Sequence, residues 1–228
     1  MEMKVSTGTA PIDWLLEGGY ERDVVTTIYG PAGSGKTNLC LLCLANSVRD
    51  KKTIYIDTEG SFSVARLKQI ADDYQDVLSR VVLLNPVNFE EQQKVFYKLR
   101  RLVNEKIGLI VLDSVAMLYR LELGQTKEIY RVNKALGAQL AYLTEIARKR
   151  MIPILITNQV YSDFDDKSKV SMVGGDILKY GSKCLIELQK TPQGRVAILR
   201  KHRSLPDGKS VSFRIKDTGI EELDDHSA

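Results

Sequence analysis

One octapeptide has the residue types and the spacing of a phosphate-binding loop. It consists of Gly30, Pro31, Ala32, Gly33, Ser34, Gly35, Lys36 and Thr37, which fits the pattern G-x-x-x-x-G-K-[ST]. The glycines let the backbone fold around an anion with its N–H groups pointing inward. The Lys36 ammonium can neutralise phosphate oxygens, and the Thr37 hydroxyl can bind Mg²⁺. An apolar run precedes the loop and a helical pattern follows it, so the octapeptide predicts a site for the phosphates of a nucleotide.

A second metal ligand is expected at Asp113. This carboxylate follows four apolar residues, 109–112, that are typical of a buried strand. In open α/β sheets ligands gather at the carboxyl ends of the strands. The pairing of Asp113 with the phosphate loop therefore predicts that Thr37 and Asp113 together hold Mg²⁺.

Two more polar residues are expected at the same edge, because each follows an apolar run. Glu59 can polarise the water that attacks a γ-phosphate, although a simple turn position before Gly60 is the alternative. The Gln159 amide can donate to a phosphate oxygen and accept from a water. We therefore expect Glu59, Lys36 and Gln159 to be the catalytic groups, with Gln159 sensing the γ-phosphate.

Composition excludes several classes of protein. The chain has 228 residues, of which 43% are hydrophobic and 27% charged, as in one large globular domain. No apolar run reaches the roughly 20 residues of a membrane span, and the first residues lack a signal-peptide core. A cytoplasmic protein without membrane contact is expected.

Cys40 and Cys43 form a C-x-x-C pair, which is a pattern found in redox and metal sites. Their spacing on a helix instead favours packing of both side chains in the core.

Charge is unevenly distributed near the end of the chain. Eight basic residues lie between 190 and 216, opposed only by Asp207: Lys190, Arg195, Arg200, Lys201, Arg203, Lys209, Arg214 and Lys216. The following residues, 217–228, contain five carboxylates and no Lys or Arg. This pattern favours a nucleic-acid or nucleotide surface with a masking tail, or else a solvated sheet face and a frayed terminus.

Strand and helix patterns alternate along most of the chain. Apolar runs at 53–57, 80–84, 109–113 and 152–159 are separated by helical patterns at about 64–78, 90–105 and 128–149. Buried runs joined by helices predict a mostly parallel sheet flanked by helices. Three later runs, 184–188, 196–199 and 211–215, are joined by short turns and predict antiparallel strands added near the C-terminus.

The order of these motifs resembles the RecA/RadA recombinase family. The segments are 6–8, 18–19, the phosphate loop, 57–62, 112–114 and 156–160, and the resemblance covers about 5–215. Within that family the chain is most similar to a short archaeal paralogue without an N-terminal DNA-binding domain. The resemblance implies a RecA-like P-loop ATPase core at 1–216, followed by an acidic tail at 217–228. It also implies that Glu59 is the hydrolytic carboxylate and that Arg66 stacks on adenine.

The resemblance also implies two DNA-binding loops, at about 119–127 and 161–176. The second contains Tyr161 and Phe164, which can stack on bases, but also three aspartates that repel phosphates.

A further candidate binding segment consists of Lys201, His202 and Arg203. Lys201 and Arg203 point to the same side of an extended chain. They can therefore contact DNA or reach the γ-phosphate bound by a neighbouring subunit; the alternative is a strand end that is simply solvated.

Phe62-Ser63-Val64-Ala65 matches the F-x-x-A string through which such recombinases polymerise, but its position in the core favours coincidence. A homodimer or small oligomer is therefore expected rather than a long filament.

The leading hypothesis is a weakly active ATPase that binds single-stranded or branched DNA and assists a RadA-type recombinase and other repair proteins. The alternatives are an authentic strand-exchange enzyme and a regulatory ATPase that acts on protein partners.

Overall fold

The computed structural model describes residues 3–46, 50–162 and 170–223, with 161–162 and 170–172 described by their backbone alone. Helices are α1 (Ala10–Leu15), α2 (Lys36–Asn46), α3 (Val64–Ile70), α4 (Tyr74–Ser79), α5 (Phe89–Leu102), α6 (Met117–Gln125), α7 (Ile129–Arg150) and α8 (Gly175–Gly181). Strands are β1 (Lys4–Val5), β2 (Tyr20–Glu21), β3 (Val25–Gly30), β4 (Lys52–Asp57), β5 (Val81–Leu84), β6 (Ile107–Asp113), β7 (Ile154–Ser162), β8 (Val170–Met172), β9 (Cys184–Lys190), β10 (Arg195–Lys201), β11 (Ser210–Lys216) and β12 (Gly219–Glu222).

One large sheet organises the fold, with the strand order β12-β11-β10-β9-β3-β7-β6-β4-β5. The strands from β9 to β5 are parallel to their neighbours. Strands β10, β11 and β12 join antiparallel to them, and β8 pairs antiparallel with the end of β7. The expected fold class, a mostly parallel sheet with antiparallel strands near the C-terminus, is confirmed.

Both faces of the parallel strands are buried, which explains why their sequences are continuously apolar. Tyr55 lies in a hydrophobic cluster with α2, whereas its neighbours Ile54 and Ile56 lie in a second cluster with α5 and α7. Successive side chains of a strand point to opposite faces, so the two clusters occupy the two sides of the sheet. This packing fixes the ends of β3, β4, β6 and β7 at one edge.

Two expected elements differ from the observed ones. The helix predicted at 64–78 is interrupted, because Ala71 adopts an extended conformation after α3 and α4 begins only at Tyr74. The loop predicted at 119–127 is instead mostly helix α6. Leu118 and Tyr119 are buried there, and the Tyr119 ring packs edge-on against Phe89 at 6.1 Å. Apolar burial against α5 therefore orders this segment as a helix.

The sheet continues beyond Lys216, into the segment expected to be an acidic tail. Residues 219–222 form β12, which pairs antiparallel with β11 in the register Phe213 with Glu222 and Lys216 with Gly219. Lys216 Nζ also lies 3.0 Å from Glu221 Oε2. The acidic residues that the structure describes here are therefore part of the sheet edge.

The cysteines occupy core positions. Cys40, Cys43 and Cys184 are buried and form no disulfide. The described part of the chain contains no group of three or more His, Cys, Asp or Glu side chains that could hold a metal ion. Among the same residues, no helix is both long and apolar enough to cross a membrane.

Candidate nucleotide site

The phosphate loop connects the central strand β3 to helix α2, as its sequence predicts. Gly33 and Gly35 adopt φ angles of +71° and +106°, which side-chain-bearing residues rarely occupy. Lys36 is buried, and its Nζ donates to the carbonyl oxygens of Gly30 and Pro31, each at 3.0 Å. The lysine therefore lies folded across the loop, where an anion would replace these carbonyls as its partner.

Electrostatics at Lys36 suit an anion. Burial lowers the pKa of its ammonium, while the carboxylates of Glu59 and Asp113 act in the opposite direction. A bound phosphate supplies further negative charge, which favours the protonated lysine. The pKa of Lys36 is thus expected to rise when the site is filled.

The two predicted metal ligands are in contact. Thr37 Oγ1 donates to Asp113 Oδ2 at 2.7 Å, although the residues are 76 positions apart. The same oxygen accepts from Tyr55 at 2.8 Å and from Ser61 Oγ at 3.1 Å. Thr157 donates to the other oxygen, Asp113 Oδ1. Four hydroxyl groups therefore hold this buried carboxylate in a fixed orientation beside the loop.

Glu59 and Gln159 also meet. Gln159 Nε2 lies 3.1 Å from both carboxylate oxygens of Glu59. Ser114 Oγ donates to Glu59 Oε1 at 2.5 Å. Strand register places Gln159 beside the phosphate loop, because Gln159 of β7 is opposite Gly30 of β3. The candidate base and the candidate sensor thus form one hydrogen-bonded pair beside the phosphate loop.

Asp57 shapes the turn that presents Glu59, a role the sequence did not reveal. Its Oδ1 accepts from the backbone N–H groups of Glu59 at 3.2 Å and Ser61 at 3.0 Å. Its Oδ2 accepts from the Phe62 N–H at 2.9 Å. Asp57 is buried and lies beside Asp113 in the pairing of β4 with β6. An Asp at the end of a strand, followed by Thr-Glu-Gly, is the local signal for such a turn.

An open cleft of about 460 Å³ lies beside the phosphate loop. Its walls include the phosphate loop, Glu59, Ser61, Arg66, Gln159 and Ile215. In and beside the phosphate loop, Ser34 Oγ and Asn38 Nδ2 are buried without a hydrogen-bond partner among the residues that the structure describes. Thr37 and Asp113 offer the hard oxygen ligands that Mg²⁺ prefers. The site therefore fits a magnesium nucleotide, with Thr37 and Asp113 as the residues that would hold the metal.

Comparisons with known proteins show the family of this chain. The Rad51 family model matches residues 1–223. The chain belongs to the Rad51 family. Within the family, the chain is similar to proteins named RadB. The DNA repair and recombination protein RadB of Methanobrevibacter smithii is 40% identical over 226 residues, which cover 95% of each chain. The RadB protein of Methanococcoides burtonii is 42% identical over 213 residues, which cover 92% of this chain and 94% of that one.

A solved structure described as the RadB recombinase has the same fold. It matches with a TM-score of 0.81 and 37% sequence identity, over 96% of this chain and 99% of that chain. The resemblance to the RecA/RadA family, and within it to the short archaeal paralogue RadB, is confirmed. The Rad51-family core therefore accounts for essentially the whole described chain.

Arg66 lines the same cleft as the phosphate loop. Its Nε donates to Asn38 Oδ1 at 2.7 Å, and its two terminal nitrogens donate to the carbonyls of Lys216, Asp217 and Gly219. These bonds engage the edges of the guanidinium and tie α3 to the β11–β12 turn. Because hydrogen bonds lie in the guanidinium plane, the faces of Arg66 are left for stacking. Stacking on adenine stays a prediction.

The Lys201-His202-Arg203 segment lies at the end of β10 that is farther from the phosphate loop. Antiparallel β10 begins beside that loop at Arg195 and runs away from it. Lys201 Nζ donates to the carbonyls of Lys179 and Ser182, at 2.7 and 2.8 Å. The contacts observed within the chain therefore give Lys201 a structural role; its use toward DNA or a neighbouring ATP stays a prediction.

Arg203 and His202 have partners near β2. Arg203 forms a two-pronged ion pair with Asp23 at 2.7 and 2.8 Å and donates to Glu21 at 2.9 Å. Only 1% of the His202 side chain is exposed, and its Nδ1 accepts from the backbone N–H groups of Ser204 and Leu205. These contacts fasten the turn after β10 to the segment after β2.

The remaining basic residues of the 190–216 stretch contact several different parts of the chain. Arg200, Lys209 and Lys216 form ion pairs with Glu187, Glu17 and Glu221. Arg214 donates to the carbonyl of Gln193. Lys190 and Arg195 instead lie beside the phosphate loop. Internal pairing thus explains much of this charge, and the sequence alone gave no sign of which cations were paired.

The second expected DNA loop, 161–176, is described only in part. Strands β7 and β8 pair antiparallel and are called the β7–β8 hairpin below; residues 163–169 between them lie outside the described part of the chain, and α8 begins at Gly175. Phe164 and the three aspartates Asp163, Asp165 and Asp166 lie outside the described residues, as does the side chain of Tyr161.

Phe62, of the F-x-x-A string, is half-buried and packs edge-on against the core residue Tyr55 at 4.9 Å. The interpretation of this string as a coincidental match stays a prediction.

Proposed function

We propose that this chain is an ATP- and DNA-binding protein of homologous recombination and DNA repair, with weak ATPase activity. It acts as an accessory protein or mediator beside a RadA-type recombinase. The observation that carries this proposal is that four of the expected nucleotide-site groups form two hydrogen-bonded pairs: Thr37 with Asp113 at 2.7 Å, and Gln159 with Glu59 at 3.1 Å. The names of the RadB relatives supply the biological process.

Hydrolysis is assigned to Glu59, which orients the attacking water. Lys36 and the backbone N–H groups of the phosphate loop stabilise charge that develops on the phosphate oxygens. Magnesium, when bound, neutralises phosphate charge and orients the nucleotide. Weak activity is expected of a single copy, because a neighbouring subunit is the expected source of further charge stabilisation at the γ-phosphate.

Gln159 links the nucleotide to the candidate DNA-binding hairpin. It lies near the end of β7, three residues before the strand ends at Ser162 and the hairpin with β8 begins. A γ-phosphate that accepts a hydrogen bond from Gln159 Nε2 competes with Glu59 for this donor. Movement of Gln159 would then change the register or order of the hairpin, and with it the affinity for DNA.

The first experiment is fluorescence anisotropy of labelled single-stranded and branched DNA, each without nucleotide, with ADP and with a non-hydrolysable ATP analogue. We expect binding that weakens steeply with salt, because phosphate contacts release counterions. We also expect the affinity to differ between ADP and the analogue. No binding at low salt in any nucleotide state would overturn the DNA assignment and leave a protein-directed ATPase.

The accessory role has its own test. In a joint-molecule assay, the chain alone should produce no strand exchange, whereas its addition to a RadA-type recombinase should change the yield or rate. ATP-dependent joint molecules made by this chain alone would contradict the proposal. Light scattering with and without DNA checks the expected homodimer or small oligomer.

A further inference from the structure

Two basic residues face each other across the β9–β10 hairpin, next to the phosphate loop. Lys190 is the last residue of β9, and Arg195, the first residue of β10, is its direct cross-strand partner. Residues directly opposite in an antiparallel pair place their side chains on the same face of the sheet. Both cations therefore belong to one side of the hairpin, and their role rests on the proposed ATP-binding function.

Both side chains reach the phosphate loop. Arg195 Nη2 is 3.4 Å from the carbonyl oxygen of Gly33, and Arg195 Cδ and Nε lie within 3.9 Å of the place where a Cβ on Gly35 would stand. Lys190 Nζ lies 3.2 Å from the corresponding position on Gly33. The two glycines thus leave room that these cations fill.

The charges of this pair are not balanced within the described part of the chain. Like charges directly opposite on a sheet are unfavourable. Neither Lys190 nor Arg195 forms an ion pair with a described residue, whereas Arg200, Arg203 and Lys209 of the same basic stretch each have a carboxylate partner. Arg195 Nε is also buried without a hydrogen-bond acceptor. An anion at the loop would satisfy this donor and relieve the repulsion.

The sheet order separates positive from negative charge around the loop. On one side of β3 lie β9 and β10 with Lys190 and Arg195. On the other side lie β7, β6 and β4, whose ends carry Gln159, Asp113 and the turn with Glu59. A polyphosphate in the loop would have carboxylates for its metal on one flank and cations for its remaining oxygens on the other.

We propose that Lys190 and Arg195 are phosphate-binding residues that clamp the polyphosphate of the nucleotide from within the same subunit. The protein thus carries its own phosphate-directed cations and does not need a neighbouring copy to bind nucleotide tightly. Arg195 provides a hydrogen-bonding contact and Lys190 provides charge, as expected from their different head groups. Charged hydrogen bonds of this kind change affinity by about tenfold or more.

The test is nucleotide binding by the full chain, measured with a fluorescent ADP, a fluorescent non-hydrolysable ATP analogue and tripolyphosphate as competitor. Lys190→Gln and Arg195→Gln should each weaken the analogue and tripolyphosphate about tenfold, and Arg195→Lys should recover part of the loss. Matched controls are Lys98→Gln and Arg101→Gln, which change exposed cations on α5 away from the cleft. Melting temperatures of all variants check that the fold is kept.

Tripolyphosphate separates phosphate contacts from contacts with the base, since it has neither base nor sugar. If the wild type binds nucleotide and both clamp variants bind as tightly as the controls, the clamp is overturned while the proposed function stands. If the wild type binds no nucleotide, the proposed function itself fails. An affinity that rises with protein concentration over two decades would show that the cations come from a second copy, which also overturns the proposal.

Discussion

Gln159 donates to both carboxylate oxygens of Glu59, each at 3.1 Å, although the two residues are 100 positions apart. This contact couples the group that would orient water to the group that would detect the γ-phosphate. One residue cannot change its hydrogen bonding without leaving the other with fewer partners. Hydrolysis and nucleotide sensing should therefore respond together to changes at either position.

A double-mutant cycle tests this coupling. Glu59→Gln should lower kcat for ATP by about 100-fold or more, because it removes the carboxylate that orients water. Gln159→Ala should have a smaller effect, and the double variant should resemble Glu59→Gln, since residues in contact are not additive. Steady-state phosphate release and binding of the non-hydrolysable analogue distinguish lost chemistry from lost binding. Additive effects would contradict a coupled pair.

Thr37→Val tests the metal ligands without enlarging the side chain. The variant should require about tenfold more Mg²⁺ for half-maximal nucleotide binding, because one oxygen ligand is lost. Its unfolding free energy should change by less than about 1 kcal/mol, since Asp113 retains three other donors. Thr157→Val is the matched control: it should lower stability by about 1–3 kcal/mol and leave the Mg²⁺ requirement nearly unchanged. The opposite pattern would assign the metal role to Thr157.

The ion pair of Arg203 with Asp23 predicts a pH-dependent stability. The hydrogen bond from Arg203 lowers the pKa of Asp23. A lowered pKa in the folded state stabilises the fold above the unfolded pKa of about 3.9, and this stabilisation is lost as the pH falls through the folded pKa. Because the pair is partly exposed, Arg203→Gln should cost only about 1 kcal/mol at pH 7.

Denaturant unfolding at several pH values checks this expectation. The difference between the wild type and Arg203→Gln should be constant from pH 7 to about pH 5 and shrink below about pH 4. Lys216→Gln removes a more exposed pair with Glu221 and should change stability less. A difference that persists unchanged at the lowest pH would show that Arg203 acts through packing instead.

The thiols should be inert in the folded protein. Burial raises the pKa of Cys40 well above its usual value and that of Cys184 to about 12. Because the thiolate is the reactive form, an aromatic disulfide reagent should label the native chain slowly and the urea-unfolded chain at all three cysteines. Rapid native labelling of Cys40 or Cys43, or stoichiometric zinc binding by the folded chain, would revive the redox or metal interpretation of the C-x-x-C pair.

Sequence patterns predicted those parts of the site whose signal is local. The phosphate loop and the carboxylate ending β6 each combine an apolar strand with a polar residue at its carboxyl end, so Lys36, Thr37 and Asp113 could be placed in advance. The hydrogen-bond partners that surround Asp113 could not be predicted in this way. Ser61 and Thr157 meet Asp113 across 52 and 44 positions, through strand register that periodicity does not encode.

The structure differs from the sequence-based predictions where contacts between distant segments determine the local conformation or the pairing of charges. The apolar residues Leu118 and Tyr119 order α6 in a segment expected to be a loop, because α5 and α7 cover them. The sign of charge along 190–216 was plain in the sequence, but the partners of Arg200 and Arg203 lie in distant segments. Charge counting therefore suggested either a nucleic-acid or nucleotide surface or a solvated sheet face, but did not reveal that several of these cations form ion pairs within the chain.

The position of β3 in the sheet has a consequence for how the chain folds. Both neighbours of this central strand, β7 and β9, come more than 120 residues later in the sequence. During synthesis the phosphate loop is therefore made early but cannot be enclosed by its sheet until β9 has emerged from the ribosome. Such non-local pairing slows folding, and nucleotide binding should appear on nascent chains only after nearly the whole domain has been translated.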